Sequence, residues 1–252
     1  MNQLTALITG ATSGIGKATA ELFAQKGLRL VLCGRRKEEL DDLMRRLSAQ
    51  TDVYTLAFDV RQKETVFQQI ASLPDSFRKI DILINNAGNA HGLEPIHEGN
   101  LDDWDAMIDG NVKGLLYVTK AIVGQMVERQ SGHIVHIGSL AAKAGYPKGA
   151  VYCASKAAVD MLNEAMRMDL YEHNIRVSAI HPGLVETNFS EVRFKGDKQR
   201  AKKVYEGITP LTAEDIAEII YFMVSRPAHV NIADLVVLPT AQASALLVKR
   251  KT

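Results

Sequence analysis

The chain has 252 residues, of which 46% are apolar and 23% are charged, and its formal net charge at pH 7 is +1. This length and composition suit one large α/β domain, and the near-zero charge argues against a protein that binds nucleic acid or an acidic membrane surface. Cys33 and Cys153 are the two cysteines, too few for a disulfide framework, and we interpret both as small core residues in a reducing compartment. The sequence has no secretory or membrane-spanning pattern, which predicts the cytoplasm.

The first predicted strand, residues 4–9, runs directly into a loop with the pattern G-x-x-x-G-x-G and then into an amphipathic helix over residues 18–26. This order is typical of a dinucleotide site, because the glycines permit a tight turn, a close approach of backbone to pyrophosphate, and packing of the helix on the strand. A flexible turn without a ligand is the alternative. The loop predicts cofactor contacts from Gly10, Thr12, Ser13, Gly14, Ile15 and Gly16.

The second predicted strand, residues 29–33, ends at Gly34-Arg35-Arg36. A site that prefers NAD would place an acidic residue here, on the ribose 2′-hydroxyl, and none is present. The guanidinium groups of Arg35 and Arg36 are instead suited to a 2′-phosphate, so the predicted cofactor is NADP. In the alternative interpretation the two arginines only begin a solvated helix, paired with Glu38 and Glu39.

Further apolar strands alternate with helical patterns, which predicts a doubly wound parallel sheet with helices on both faces and ligand sites at the carboxyl ends of the strands. We expect a single domain over residues 1–252. The irregular stretch 182–210 is interpreted as an insertion, with a substrate lid at about 184–210. The later strands are predicted at residues 54–58, 80–84, 133–137, 176–180 and 234–238.

A tyrosine and a lysine, Tyr152 and Lys156, lie four residues apart at a predicted helix start and therefore share one helix face. An ammonium beside a phenol stabilises the phenolate and lowers the pKa of the phenol from about 10. This spacing predicts that Tyr152 carries a proton to or from a substrate oxygen. The alternative is an ordinary surface pair.

These separated motifs, in this order, resemble those of the short-chain dehydrogenase/reductase family. The matching segments are Thr9 to Gly16, Asn85-Asn86-Ala87-Gly88, Gly138-Ser139 with Tyr152 and Lys156, and Pro182-Gly183. The resemblance implies a Rossmann-like fold and an enzyme that acts on CH–OH groups. For Asp59 the competing interpretation is a helix N-cap. The further cofactor contacts that the resemblance implies are Asp59, Val60, Asn86, Ala87, Gly88, Tyr152, Lys156, Pro182, Gly183 and Val185.

The resemblance also implies a catalytic tetrad of Asn111, Ser139, Tyr152 and Lys156. Tyr152 would exchange the substrate proton, Ser139 would hold the same substrate oxygen, and Lys156 would lower the pKa of Tyr152 and bind the nicotinamide ribose. Asn111 would orient a water that links Lys156 to solvent. Each of two residues has an alternative role. The Ser139 hydroxyl, at a strand end, could only bind a backbone group, and Asn111 could only make a local backbone hydrogen bond within a helix.

The segments 189–197, 229–232 and 238–242 resemble those of the NADP-dependent 3-hydroxy acid dehydrogenases, including those that act on serine and allo-threonine. A 3-hydroxypropionate-type acid is a further expected substrate. A lid that carries Arg193, Lys195 and Lys198 could close over a small carboxylate, with Arg193 the best bidentate clamp. The alternative is a solvated charge run. The expected substrate contacts are therefore Ser139, Tyr152 and Arg193.

Two alternative functions stay open at this point: a broad carbonyl or 3-oxoacyl reductase of the same family, and an NADP-binding regulator without turnover. No metal is predicted, because His133 and His136 should point to opposite faces of a strand. An apolar stripe on the helix after Lys156 belongs either to the core or to a subunit interface, and the resemblance favours an interface within a homotetramer. The stripe consists of Met161, Leu162, Ala165 and Met166.

Overall fold

Seven strands form one parallel sheet in this computed structural model, which describes residues 3–251. The strand order is β3-β2-β1-β4-β5-β6-β7, and every predicted strand is confirmed within two residues of its predicted ends. The strands are β1 (Thr5–Thr9), β2 (Arg29–Gly34), β3 (Val53–Ala57), β4 (Ile82–Asn85), β5 (Gly132–Ile137), β6 (Ile175–Pro182) and β7 (Asp234–Val237).

Helices connect the strands and cover both faces of the sheet, as expected for a doubly wound fold. No helix within residues 3–251 is both long and apolar enough to cross a membrane. The α-helices are α1 (Gly14–Gln25), α2 (Lys37–Leu47), α3 (Lys63–Ala71), α4 (Asp75–Arg78), α5 (Leu101–Ile108), α6 (Gly114–Arg129), α7 (Ala150–Leu170), α8 (Phe189–Arg193), α9 (Lys198–Lys203) and α10 (Ala213–Val224). A π-helical turn (Asp109–Lys113) and two 3₁₀ turns (Leu140–Ala142 and Tyr171–His173) complete the set.

Two apolar layers explain why the strands are hydrophobic on both faces. Alternate residues along β1 show the pattern, since Ile8 points into one layer and Leu7 into the other. Ile8 packs in the layer that contains Phe23 of α1 and Ile220 of α10, whereas Leu7 packs in the layer that contains Ile122 of α6. The sheet is therefore buried on both sides, and its carboxyl edge is left as the place for a ligand.

The order in which strands are added to the sheet reverses between β1 and β4, and polar side chains tie these two strand ends together. The Thr9 hydroxyl accepts hydrogen bonds from the backbone N–H groups of Asn86 (3.0 Å) and Ala87 (2.9 Å). The Asn86 side chain donates in return to the Thr9 carbonyl, at 2.8 Å. Ligands of open α/β sheets bind at such a switch point, so these contacts fix the floor of the expected site.

Candidate active site

The glycine-rich loop between β1 and α1 leaves an anion-binding helix end exposed. Gly10 and Gly14 adopt φ angles of +66° and +51°, which favour glycine. Ser13 caps α1 without a side-chain hydrogen bond, so its hydroxyl does not occupy the N–H groups of the first turn. A Cβ on Gly16 would overlap the Gly10 carbonyl and the Asn86 amide, so the close packing of α1 beneath the loop requires glycine at this position. This cradle fits a pyrophosphate.

A cavity of about 710 Å³ lies along the carboxyl edge of the sheet. All of the predicted cofactor residues except Gly16 line it, which places residues from six separate segments of the chain around one space. Those lining residues are Gly10, Thr12, Ser13, Gly14, Ile15, Arg35, Arg36, Asp59, Val60, Asn86, Ala87, Gly88, Tyr152, Lys156, Pro182, Gly183 and Val185.

The two arginines after β2 lie at one end of this cavity. Arg36 donates to the Thr12 hydroxyl of the glycine-rich loop (2.8 Å) and also pairs with Glu39 of α2 (2.8 Å). The predicted ion pair at the start of the helix is therefore present together with a contact to the cofactor loop. The Arg35 side chain is 66% exposed, with its guanidinium 3.9 Å from Asp59. Both arginines line the cavity, and guanidinium groups are suited to bind a phosphate.

Asp59 follows β3 and is held by Arg61 rather than by a helix. Arg61 donates to its carboxylate from Nε and Nη2, at 3.0 and 2.7 Å, while Gln62 is the N-cap of α3. The N-cap interpretation of Asp59 is therefore wrong. Burial alone raises the pKa of Asp59, but the Arg61 hydrogen bonds and the Arg61 and Arg35 charges outweigh it and bring the pKa below its usual value.

Tyr152 and Lys156 begin α7 and share one buried face, with only 8% and 7% of each residue exposed. Lys156 Nζ donates to the Ile137 carbonyl at 2.9 Å, and burial lowers the pKa of Lys156 to about 8. Burial raises the pKa of Tyr152, against a lowering by the Ser139 hydroxyl. The expected lowering by Lys156 is wrong for this structure, because loss of water around the phenol dominates and the ammonium is directed at a carbonyl.

Ser139 follows the end of β5 and faces the same cavity as Tyr152. Its hydroxyl accepts a hydrogen bond from the Ala141 N–H at 3.1 Å. The alternative role predicted for Ser139, a hydrogen bond to a backbone group, is therefore also present. The two roles are compatible, since a hydroxyl has two lone pairs and one proton.

Asn111 lies within the π-helical turn between α5 and α6 and is buried. Its side-chain nitrogen donates to the Asn89 carbonyl and the Ser155 hydroxyl, both at 2.9 Å, and its oxygen accepts from the Asn89 N–H at 2.7 Å. A local helix bond is therefore not its role. A Cβ on Gly88 would lie 2.9 Å from Asn111 Oδ1 and 3.6 Å from Lys156 Nζ, so the glycine leaves space between these two polar atoms.

Arg193, at the end of α8, is the one of the three predicted lid cations that reaches the site. Its guanidinium lies 5.5 Å from the Tyr152 ring centroid and donates to the Tyr146 hydroxyl and the Gly92 carbonyl, both at 3.0 Å. Lys195 instead pairs with Asp103 (2.9 Å), and the exposed Lys198 lies 4.0 Å from Glu191. The structure thus separates the three predicted lid cations and brings only Arg193 beside Tyr152.

Several residues of the site carry no sequence signal that we could have used. Tyr146 holds Arg193, the Phe189 ring lies 5.7 Å from the Tyr152 ring, and Gln242 binds the Leu184 N–H at 2.9 Å in the cavity wall. Tyr146 and Gln242 lie outside the helices and strands, and helix α8, which begins at Phe189, has only five residues, so no periodicity marks these side chains as inward-facing. The sequence shows that Arg61 is charged, but it did not reveal that Arg61 pairs with Asp59.

Comparisons with known proteins agree with this geometry. A family model described as short chain dehydrogenase matches residues 4–198. A Salmonella typhi protein named NADP-dependent 3-hydroxy acid dehydrogenase YdfG is 46% identical over 240 residues, which span 95% of this chain and 96% of the relative. Sulfoacetaldehyde reductase 2 of Chromohalobacter salexigens is 45% identical over 246 residues, spanning 97% of this chain and 98% of the relative. A solved structure described as the closed form of serine dehydrogenase complexed with NADP+ has a TM-score of 0.93 and 43% identity, and the match covers 99% of this chain and all of that one.

Proposed function

Because this chain belongs to the short-chain dehydrogenase/reductase family, we propose that it transfers a hydride between NADP and the carbinol carbon of a small 3-hydroxy acid of the serine, allo-threonine or 3-hydroxypropionate type. The observation that carries the substrate class is Arg193, a cation 5.5 Å from the Tyr152 ring in the cavity wall. A guanidinium binds a carboxylate in a bidentate manner, so an acid bound to Arg193 would place its hydroxyl near Tyr152.

Each tetrad residue has a role in this proposal. In oxidation Tyr152 takes the hydroxyl proton, and Ser139 holds the substrate oxygen while its charge develops. The pKa of Lys156, about 8, keeps the ammonium largely protonated at neutral pH. Gly88 places no side chain between Lys156 and Asn111, and a water that bridged these two groups would exchange protons with solvent.

NADP would be held by the glycine loop at its pyrophosphate and by Arg35 and Arg36 at its 2′-phosphate. When bound, it supplies the nicotinamide that accepts or returns the hydride. The remaining cofactor contacts are proposed for the residues that line the same cavity, and Gly16 supports the loop from below. The segment 184–210 is proposed as a lid on a single domain, with Arg193 as its substrate-facing residue.

A second candidate substrate is a small aldehyde that bears a sulfonate. The relative from Chromohalobacter salexigens, named Sulfoacetaldehyde reductase 2, supports this candidate. A sulfonate is tetrahedral, but two of its three oxygens can accept hydrogen bonds from a guanidinium as the two carboxylate oxygens do. Arg193 would serve either group, so the two candidates share one geometry and differ in the anion that they fit.

A substrate panel tests both candidates. With NADP, we expect turnover of L-serine, allo-threonine, 3-hydroxyisobutyrate or 3-hydroxypropionate, and little turnover of a secondary alcohol that lacks an anion. Arg193→Gln should raise KM for the acids about 10- to 100-fold, because a charge-assisted hydrogen bond contributes about 1.5–3 kcal/mol. The measurement is NADPH absorbance in steady-state kinetics.

Lys198→Gln is the matched control, since it removes an exposed lid cation whose partner is Glu191. Its KM should stay within about twofold of the wild-type value. Turnover of 2-hydroxyethanesulfonate but of no carboxylate would select the sulfonate candidate. A bulky ketone that outran every anion would favour the broad carbonyl reductase, and NADPH binding without turnover of anything would favour the regulator.

The proposal includes a homotetramer in the cytoplasm. Two buried thiols, Cys33 and Cys153, suit a reducing compartment. On α7, Met161 and Met168 are 64% and 61% exposed. They lie two turns apart on one face of the helix, which supports the interpretation that this face forms a subunit interface. Leu162 and Met166 are half-buried beside them.

Met161→Glu combined with Met168→Glu should dissociate the assembly, because burying two carboxylates in an apolar contact costs several kcal/mol. Light scattering should show a mass near four chains for the wild type and one or two chains for the variant. Phe67→Glu is the control, since Phe67 is a partly exposed apolar residue on the distant helix α3. A wild-type mass of one chain would refute the tetramer.

A further inference from the structure

His181, near the end of β6, is fully buried and lies against the peptide unit of Ser139. Its Nδ1 is 3.3 Å from the Ser139 nitrogen and 3.2 Å from the Ser139 carbonyl oxygen. A Cβ on Gly138 would overlap the imidazole ring, so this glycine permits the approach. Because Nδ1 contacts both backbone atoms of Ser139, the proton on Nδ1 decides which of the two it binds.

The other side of the ring faces three charged groups from three elements. His181 Nε2 lies 2.8 Å from Asp234 Oδ1 on β7 and 3.2 Å from Asp160 Oδ1 on α7. Lys143, directly after the 3₁₀ turn, donates to both carboxylates, at 2.9 Å to Asp160 and 2.5 Å to Asp234. We call these four residues the His181 cluster. Its carboxylates and imidazole could hold a metal ion, but the Lys143 ammonium already supplies their cation.

The His181 cluster connects the Ser139 backbone to the helix that carries Tyr152. Ser139 begins the 3₁₀ turn Leu140–Ala142 and Lys143 ends it, so the cluster holds both ends of this turn. Asp160 lies one turn beyond Lys156 and two turns beyond Tyr152 on the same face of α7. The relative position of Ser139 and Tyr152 therefore depends on these contacts.

We propose that His181 is a positioning residue that fixes Ser139 against Tyr152, and that protonation of His181 reverses its hydrogen bond to the Ser139 backbone. The proposal rests on the proposed function, which gives Ser139 and Tyr152 a common substrate oxygen. In the neutral ring the proton is on Nε2, which faces the Asp234 and Asp160 carboxylates, and Nδ1 accepts the Ser139 N–H. In the protonated ring, Nδ1–H binds the Ser139 carbonyl instead, and the N–H loses its acceptor.

The charges around the ring set which form is present. Burial lowers the pKa of His181, Asp234 and Asp160 raise it, Lys143 lowers it, and the net direction is downward from 6.5. The neutral ring is therefore the form at neutral pH, and the switch lies on the acid side of the ordinary histidine range. A misplacement of about 1 Å in a reacting geometry costs about 100-fold in rate, so the loss of one backbone contact is measurable.

Three variants test the positioning role. His181→Leu removes both contacts and should lower kcat about tenfold or more, with KM and the NADP Kd within about twofold of wild type. His181→Asn keeps an acceptor near the Nδ1 position but cannot titrate, so it should restore most of kcat. His133→Leu is the control for stability, since His133 is an equally buried histidine of the sheet, paired with Ser178 away from the site. Equal kcat values in His181→Leu and His133→Leu would overturn the proposal.

Thermal unfolding gives a second readout that needs no turnover. A lowered folded-state pKa means that the unfolded chain binds more protons below pH 6.5, so His181 contributes to a fall in Tm with acidification. His181→Asn should lose less Tm between pH 7 and pH 5 than the wild type, and an identical loss would refute the titration of His181. Absence of turnover by the wild type with every substrate would refute the proposed function, whereas unchanged kcat for His181→Leu in an active enzyme would refute the positioning role alone.

Discussion

Tyr152→Phe is expected to lower kcat by about 10²- to 10⁴-fold, the range that general acid–base catalysis contributes. The substitution removes one hydroxyl and keeps the ring, which packs against Phe189 at a centroid distance of 5.7 Å. The NADP Kd should therefore stay within about twofold. Steady-state kinetics with serine or 3-hydroxypropionate and a fluorescence titration with NADPH measure the two quantities.

Tyr146→Phe is the matched control, because it removes a second phenol hydroxyl from the same cavity. That hydroxyl binds Arg193 at 3.0 Å, so its loss should raise KM modestly and leave kcat within a few-fold. Retention of half or more of kcat by Tyr152→Phe would exclude Tyr152 as the proton carrier.

The raised pKa of Tyr152 also predicts the direction in which the kcat of the wild-type protein changes with pH. At neutral pH the phenol is protonated and ready to donate, which suits reduction of a carbonyl. Oxidation needs the phenolate, so its kcat should rise as pH is raised toward that pKa, and Tyr152→Phe should lack this rise.

Arg35→Ala with Arg36→Ala should weaken NADP binding by about 10²- to 10⁴-fold and change NAD binding by less than about threefold. Each charge-assisted hydrogen bond to a phosphate contributes about 1.5–3 kcal/mol, and only NADP has the 2′-phosphate. Calorimetric titration of both cofactors on the purified variant measures the difference.

Lys37→Ala controls for a general loss of positive charge, because Lys37 is the next cation along the chain and pairs with Asp41 on the surface of α2. It should leave both Kd values unchanged. Arg36 also contacts Thr12 at 2.8 Å, so the single variants separate phosphate binding from support of the loop. Equal losses for NADP and NAD in the double variant would remove the argument for cofactor choice.

Local patterns were sufficient to predict the parts of the site that depend on local structure. Alternation of apolar strands with helices predicted all seven strands, and the glycine spacing predicted the loop before α1. The spacing of Tyr152 and Lys156 predicted a shared helix face, because four residues make about one turn. Each of these inferences needs only residues that are close in the chain.

Apart from Asp59, which pairs with Arg61 two residues away, the incorrect or incomplete expectations involve contacts between distant parts of the chain. The pKa of Tyr152 depends on its burial and on Ser139, and the spacing to Lys156 contains neither fact. Asn111 binds Asn89, 22 residues away, and Arg193 binds Gly92, 101 residues away. Helix periodicity could not show that Arg193 faces the site while Lys195 pairs with Asp103, because their partners lie on other elements.

The way in which the segment 184–210, the proposed lid, is anchored bears on how new specificities arise in such enzymes. Its two ends are already hydrogen-bonded to each other, since the Glu186 N–H binds the Leu211 carbonyl (2.8 Å) and the Leu211 N–H binds the Leu184 carbonyl (2.9 Å). Beyond this base, the side chains of Arg193, Lys195 and Arg250 and the backbone bond from Gly92 to Arg193 hold the segment. Insertions and replacements between the joined ends therefore cost little closure entropy, so evolution can exchange this segment between relatives while the sheet and the cofactor cradle stay the same.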